Sequence, residues 1–147
     1  MKNGLLDAPP FKDHRGCVLV VDDDESVRAV CAEMLSRAGF AVSEAENGEQ
    51  ALTELRSVHY HLVITDYHMP KVSGTELARQ MRVAGMTQPV ILISGTMDIE
   101  DQISDSGHLI DTVLPKPFSF DELLSRVNAV LDLVPRATLR SRTFKSP

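Results

Sequence analysis

Leu62-Val63-Ile64-Thr65-Asp66-Tyr67-His68-Met69-Pro70 decides the fold. Three apolar residues run into a threonine and a lone carboxylate, and Met69-Pro70 then ends regular structure. A short apolar, β-branched run bounded by turn residues reads as a buried strand, here 62–65. Asp66 then stands where the strand runs out, at the carboxyl edge of a sheet. In open parallel α/β sheets that edge binds ligands. Read alone, D-x-x-M-P serves equally well as a strand-ending aspartate that caps a turn. What stands at the ends of the other strands decides between the two.

Working outward, strand and helix signals alternate. Residues 17–21, Cys-Val-Leu-Val-Val, are wholly apolar, as in a strand covered on both faces. Val27, Val30, Cys31, Met34, Leu35 and Ala38 repeat at helical spacing, with Asp24 as N-cap and Gly39 as stop. A second strand is expected over 40–45. Asn47 with Gln50 then fits a capping box before Ala51, Leu52 and Leu55. Beyond Pro70, Ser73 and Glu76 form another such box, with Val72 and Leu77 as a hydrophobic staple, and Gly85 ends that helix. The fourth strand is 90–93. Residues 97–111 mix a helical face, Ile99 and Ile103, with the turn chemistry of Ser104-Asp105-Ser106-Gly107, so a short or irregular helix is expected. A brief fifth strand, 112–114, is stopped by Pro115 and Pro117, which places it at the border of the sheet. Ser119 and Glu122 box the last helix, Phe118 and Leu123 staple it, and Leu123, Leu124, Val127, Val130, Leu131 and Val134 form its stripe.

Length and composition fit one α/β domain. The chain has 147 residues, 43% of them hydrophobic and 24% charged, enough for a single buried core. A net charge of −6 gives the body no electrostatic footprint for nucleic acid or an anionic membrane. The apolar runs are too short to span a bilayer, and the first fifteen residues lack the apolar core of a signal peptide. Cys17 and Cys31 make no metal spacing and read as buried reduced thiols, which suits a cytoplasmic protein. The expected organisation is a flexible N-terminal extension over 1–15, the folded domain over 16–134, and a basic, disordered tail over 135–147.

Five β-α units imply a doubly wound parallel sheet with helices on both faces, in the flavodoxin-like order 2-1-3-4-5. Asp22-Asp23-Asp24 after strand 1 and Asp66 after strand 3 then face one another across the switch point. Ser94-Gly95 follows strand 4 and Lys116-Pro117 follows strand 5. Each has a bland explanation: acids favour a helix N-terminus, Ser-Gly makes turns, and lysines are solvated. Their coincidence at successive strand ends has none. Several carboxylates at close range repel unless a proton or a cation intervenes. Mg²⁺ takes oxygen ligands and combines one or two carboxylates, waters and a substrate phosphate. Acids, a hydroxyl and a lysine around one such ion are the parts of a phosphoryl-transfer site.

V-V-D-D, T-D-Y-H-M-P, I-S-G and K-P-F, in that order and with these gaps, resemble the receiver domains of two-component response regulators, over about residues 16–134. The resemblance implies that Asp66 is the phosphoacceptor, with Lys116 and Ser94 beside it. It implies Mg²⁺ on Asp23, Asp66 and the backbone carbonyl of His68, with Asp22 acting mainly through metal-bound water. It also implies a cis Lys116–Pro117 bond. The partner would be a sensor histidine kinase or a histidine phosphotransfer protein. The chain would be a regulatory phosphoacceptor rather than an enzyme with its own substrate, acting without nucleic acid or membrane.

Three features depart from the family's pattern. Val113 stands where an aromatic is usual, and a β-branched residue has no ring to swing. The stretch 97–111 lacks the usual Ala-rich helix. No output domain is expected after the basic tail, so the chain reads as a stand-alone receiver or one excised from a hybrid sensor kinase. Two rival classes stay open. A haloacid-dehalogenase-like phosphatase would use Asp22 as nucleophile and Asp24 as general acid, and a degenerate receiver would take no phosphate. His59-x-His61 as a metal site lacks an acidic or thiolate companion.

Overall fold

The computed structural model describes residues 15–95 and 109–132. Five parallel strands, β1 (Cys17–Val21), β2 (Ala41–Ala45), β3 (Leu62–Asp66), β4 (Val90–Ser94) and β5 (Thr112–Pro115), form one sheet in the order β2-β1-β3-β4-β5. The helices are α1 (Glu25–Arg37), α2 (Gly48–Ser57), α3 (Gly74–Val83) and α4 (Phe120–Asp132). The expected fold and strand order are those observed. The expectations for 1–14, for 96–108 and for 133–147, Val134 included, lie outside the described residues.

Strand alternation divides the core into two layers. Val18, Val20, Leu62, Ile64, Ile91, Ile93 and Leu114 pack with Cys31 and Leu35 of α1 and with Leu123 and Val127 of α4. Leu19, Val21, Val63, Leu92 and Val113 face the other way, onto Leu52 and Leu55 of α2 and Leu77 and Met81 of α3. Neighbouring residues of one strand thus serve opposite faces, which is why β1, β4 and the start of β3 read as unbroken apolar runs.

Several local expectations are corrected. Strands β3, β4 and β5 each run one residue further than expected, because Tyr67 N–H donates to the Ile93 carbonyl (2.8 Å) and Lys116 N–H to that of Ser94 (2.9 Å). Strand β2 starts one residue later, since Phe40 N–H turns back to the Leu35 carbonyl at the end of α1. Val30 is 51% exposed and takes no part in the buried stripe of α1. Cys17 is half-buried, at the first position of its strand, whereas Cys31 is buried. Only the Ser119–Glu122 box is reciprocal, Ser119 N–H donating to Glu122 Oε1 (2.8 Å) and Glu122 N–H to Ser119 Oγ (3.1 Å). Ser73 does cap α3, but the Glu76 carboxylate is drawn away to Arg79 and Gln80. Asn47 caps α2, while Gln50 reaches back to Glu46 N–H instead.

Candidate functional site

Register brings the site together. Val21 lies level with Thr65, so Asp22 and Asp66 are next in line on adjacent strands. Asp66 lies level with Ile93, which puts Ser94 one step beyond it, and Ser94 lies level with Pro115, one residue before Lys116. The four strand ends therefore form a staircase along the carboxyl edge. At its centre, carboxylate oxygens of Asp22, Asp23 and Asp66 all lie within 4.8 Å of one another. Lys116 Nζ stands 3.0 Å from Asp66 Oδ1. Asp22, Asp66 and Ser94 are buried, Asp23 is exposed, and Lys116 lies between.

Hydrogen bonds hold the first acidic turn tightly. Asp22 N–H donates to the Ala45 carbonyl (3.1 Å), and Asp24 N–H donates to Asp22 Oδ1 (2.9 Å). Asp24 Oδ1 in turn caps α1, accepting from Ser26 and Val27 N–H. Charge is unbalanced here. Burial pushes the Asp22 carboxyl above its ordinary range and the Asp66 carboxylate adds to the rise, against the Asp24 N–H and Lys116, which lower it. For Lys116 burial acts downward, but its hydrogen bond to Asp66 and the charges of Asp66, Asp22 and Asp24 outweigh it and hold the ammonium above its usual value.

Sequence reasoning passed over two residues. Gly74 opens α3 directly behind the site: a Cβ there would stand 2.4 Å from the Asp66 carbonyl oxygen and 2.7 Å from Leu92 Cδ1. Its signal was a glycine at the first position of a helix, where glycine is a poor former. Arg28 donates from Nη1 to the Asp22 carbonyl (2.8 Å) and from Nε to Glu44 Oε1 (3.0 Å). Nothing in the sequence distinguishes it from any polar residue of a surface helix. The His59–His61 pair lies before β3, at the opposite edge of the sheet, and His61 Nδ1 accepts from Cys17 N–H. Among the described residues, Asp22, Asp23 and Asp66 are the group placed to hold a metal ion. The Lys116–Pro117 bond is cis.

The family model described as response regulator receiver domain matches residues 18–128. The chain belongs to the receiver domains of response regulators. This receiver domain is 35% identical over 114 residues to the response regulator MprA of Mycolicibacterium vanbaalenii, covering 78% of this chain and 49% of that protein. It thus spans about half the length of the curated relatives it matches. Among solved structures it is similar to the Thermotoga maritima response regulator TrrA in complex with Mg²⁺-BeF, with 36% identity and a TM-score of 0.72 over 78% of this chain and 98% of that one. The Francisella response regulator 1452 receiver domain matches with 31% identity and a TM-score of 0.75, over 82% and 100% of the two chains. The receiver domain has no described helix long and apolar enough to cross a membrane.

Proposed function

We propose that this receiver domain is the phosphoacceptor of a two-component phosphorelay, accepting a phosphoryl group from a phosphohistidine onto Asp66 with Mg²⁺ as cofactor. The observation that carries this reading is the convergence of three carboxylates within 4.8 Å, with Lys116 Nζ at 3.0 Å from Asp66. The donor set fits Mg²⁺, which prefers hard oxygen ligands and shares them with water and phosphate. Burial raises the Asp22 carboxyl above its ordinary range, and the Asp66 and Asp23 charges add a smaller rise that a divalent cation would relieve. Asp23, Asp66 and the His68 carbonyl would hold the ion, with Asp22 acting through its water. When bound, the ion supplies charge neutralisation to the transferring phosphoryl oxygens.

The chain's own residues do the rest. A carboxylate oxygen of Asp66 forms the new P–O bond as the P–N bond of the phosphohistidine breaks, and the imidazole nitrogen leaves with the electron pair. Lys116 then exchanges its Asp66 contact for a phosphoryl oxygen, and the Ser94 hydroxyl donates to another. Gly95 is exposed, and a Cβ there would have Lys116 Cβ as its nearest neighbour at 3.8 Å, so the approach to the site is open. The donor is a protein, a sensor histidine kinase or histidine phosphotransfer protein. A cavity of about 520 Å³, lined by Val27, Val30, Met34 and Phe118, opens beside Lys116 and offers apolar surface at the mouth of the site. Hydrolysis of the acyl phosphate resets the domain in the cytoplasm.

The phosphoryl group adds a charge of about −1.5 to −2, by analogy with phosphoserine. Inverting a population from 1:99 to 99:1 needs about 5.5 kcal/mol of differential stabilisation, within reach of several charge-assisted hydrogen bonds. The receiver domain, expected over 16–134, is the switching unit, and its output lies with a partner or with a longer protein such as a hybrid kinase. Against the phosphatase alternative, Asp24 already has a structural role, its Oδ1 capping α1.

Intact-mass analysis after incubation with Mg²⁺ and acetyl phosphate, or with a phosphohistidine donor, should show one added phosphoryl group. Asp66→Asn should remove it. Full stoichiometry in that variant would overturn the assignment, and transfer of the label to Asp22 would favour the phosphatase class.

A further inference from the structure

The Asp22–Asp23 peptide has an anchor that lies outside the acidic cluster. Arg28 sits one turn into α1 with its side chain only 14% exposed. Its Nη1 donates to the Asp22 carbonyl at 2.8 Å while its Nε pairs with Glu44 Oε1 at 3.0 Å. Glu44 belongs to β2, so one guanidinium joins the end of β1, the first turns of α1 and the end of β2. We propose that Arg28 is a positioning residue for the metal site, fixing the Asp22–Asp23 peptide so that both carboxylates face Asp66. The inference rests on the phosphoacceptor reading above.

The physical argument runs through peptide planarity. The Asp22 carbonyl and the Asp23 N–H lie in one rigid plane. Asp22 is already held at its N–H by Ala45 and at Oδ1 by Asp24 N–H. The second of these closes a turn through the Asp22–Asp23 peptide and limits its rotation, but neither bond touches the Asp22 carbonyl itself. The bond from Arg28 to that carbonyl oxygen adds a restraint on the peptide plane directly and so helps to set where the Cα of Asp23 goes. Asp23 needs this more than its neighbours do, because its side chain is exposed whereas Asp22 and Asp66 are buried. A charged donor to a carbonyl is stronger than a neutral one. The planar fork also matters, since Nε and Nη1 meet two partners at once, and a lysine ammonium could satisfy only one of them from the same place. Glu44 meanwhile balances the guanidinium charge, so that Arg28 positions the acids without substituting for the cation.

The test is titration of the whole chain with Mg²⁺ by calorimetry, with thermal melts and phosphoryl uptake from acetyl phosphate measured alongside. Arg28→Ala should raise the Mg²⁺ dissociation constant about tenfold or more, the loss typical of groups that orient metal ligands. Phosphoryl uptake should then need correspondingly more Mg²⁺ for half-maximal rate, with the rate at saturating Mg²⁺ within about twofold of wild type. A residue that served stability alone would lower the melting temperature without moving the Mg²⁺ dependence. Arg28→Lys should recover only part of the affinity. Glu44→Gln, which keeps the bond to Asp22, should bind Mg²⁺ within about threefold of wild type, and Arg28→Lys keeps the test readable if Arg28→Ala folds poorly. Wild-type Mg²⁺ affinity in a folded Arg28→Ala or Arg28→Lys protein would overturn the role of Arg28 alone. Failure of the wild-type chain to bind Mg²⁺ would overturn the phosphoacceptor reading and this inference with it.

Discussion

Replacing Gly74 by alanine should damage the site through the backbone of Asp66. The added Cβ would lie 2.4 Å from the Asp66 carbonyl oxygen and 2.7 Å from Leu92 Cδ1, against a usual carbon–oxygen approach of about 3.3–3.6 Å. Roughly 1 Å must therefore be found. Strand β3 cannot supply it, being bonded to β1 on one side and β4 on the other. Leu92 is fully buried and equally confined. The start of α3 must retreat, at the expense of the 3.0 Å bond from Gly74 N–H to the Tyr67 carbonyl. Overpacking costs about 1–3 kcal/mol and the weakened bond about 0.5–1.5. The lower chain entropy of alanine when unfolded returns about 0.4–1 kcal/mol. The net loss is about 1–3 kcal/mol, or roughly 4–12 °C in melting temperature for a domain of this size. Phosphoryl uptake at 20 °C should also slow, because the strain falls on the proposed phosphoacceptor. Gly48→Ala is the control: its Cβ would meet Val72 Cγ1 at 2.6 Å, a side chain rather than the Asp66 backbone, so uptake should be unchanged. A Gly74→Ala protein that melts at or above the wild-type temperature and takes up phosphate at the wild-type rate would refute this reasoning.

Two further outcomes follow from the charges. Asp23→Asn should weaken Mg²⁺ binding by about tenfold or more, as loss of a charged oxygen at the proposed metal site would, yet raise the melting temperature of the metal-free protein, because Asp23 is one of the charges acting against ionised Asp22; calorimetric titration and metal-free melts check both. Burial pushes the Cys31 thiol up to about 11, with the Asp22 charge adding to the rise. Its folded value thus lies above the unfolded one of about 8.5, so the stability tied to the neutral thiol is complete below that value and drains away as pH climbs toward 11. Urea melts from pH 8 to 11 should show a decline that Cys31→Ala reduces, and identical slopes in the two proteins would contradict it.

The one-dimensional pattern determined a great deal about this chain. Four short apolar, β-branched runs and a weaker second one, each bounded by turn residues and separated by helical periodicity, point to a parallel sheet, since parallel strands need crossover helices. The placement of Asp66, Ser94 and Lys116 at the strand ends was legible for the same reason: a polar residue ending an apolar run marks where the strand leaves the core. Asp24 as a cap was readable because capping is local in sequence. Tertiary structure decided what depends on residues far apart in the chain. Glu76 is a local exception: it fits a reciprocal cap by spacing, but Arg79 and Gln80, three and four residues on, take its carboxylate once the helix has formed. Val30 fits the apolar stripe of α1, yet the packing of that helix leaves it in solvent. Register, set by ladder bonds between strands, made Asp22 and Asp66 level and extended three strands by a residue each. Arg28 carries no local mark of its proposed role, and Gly74 only that of a glycine opening a helix. One acts through a carbonyl six residues away and a carboxylate on another strand, the other through the close approach of a helix to β3. Both distances exist only once the chain has folded.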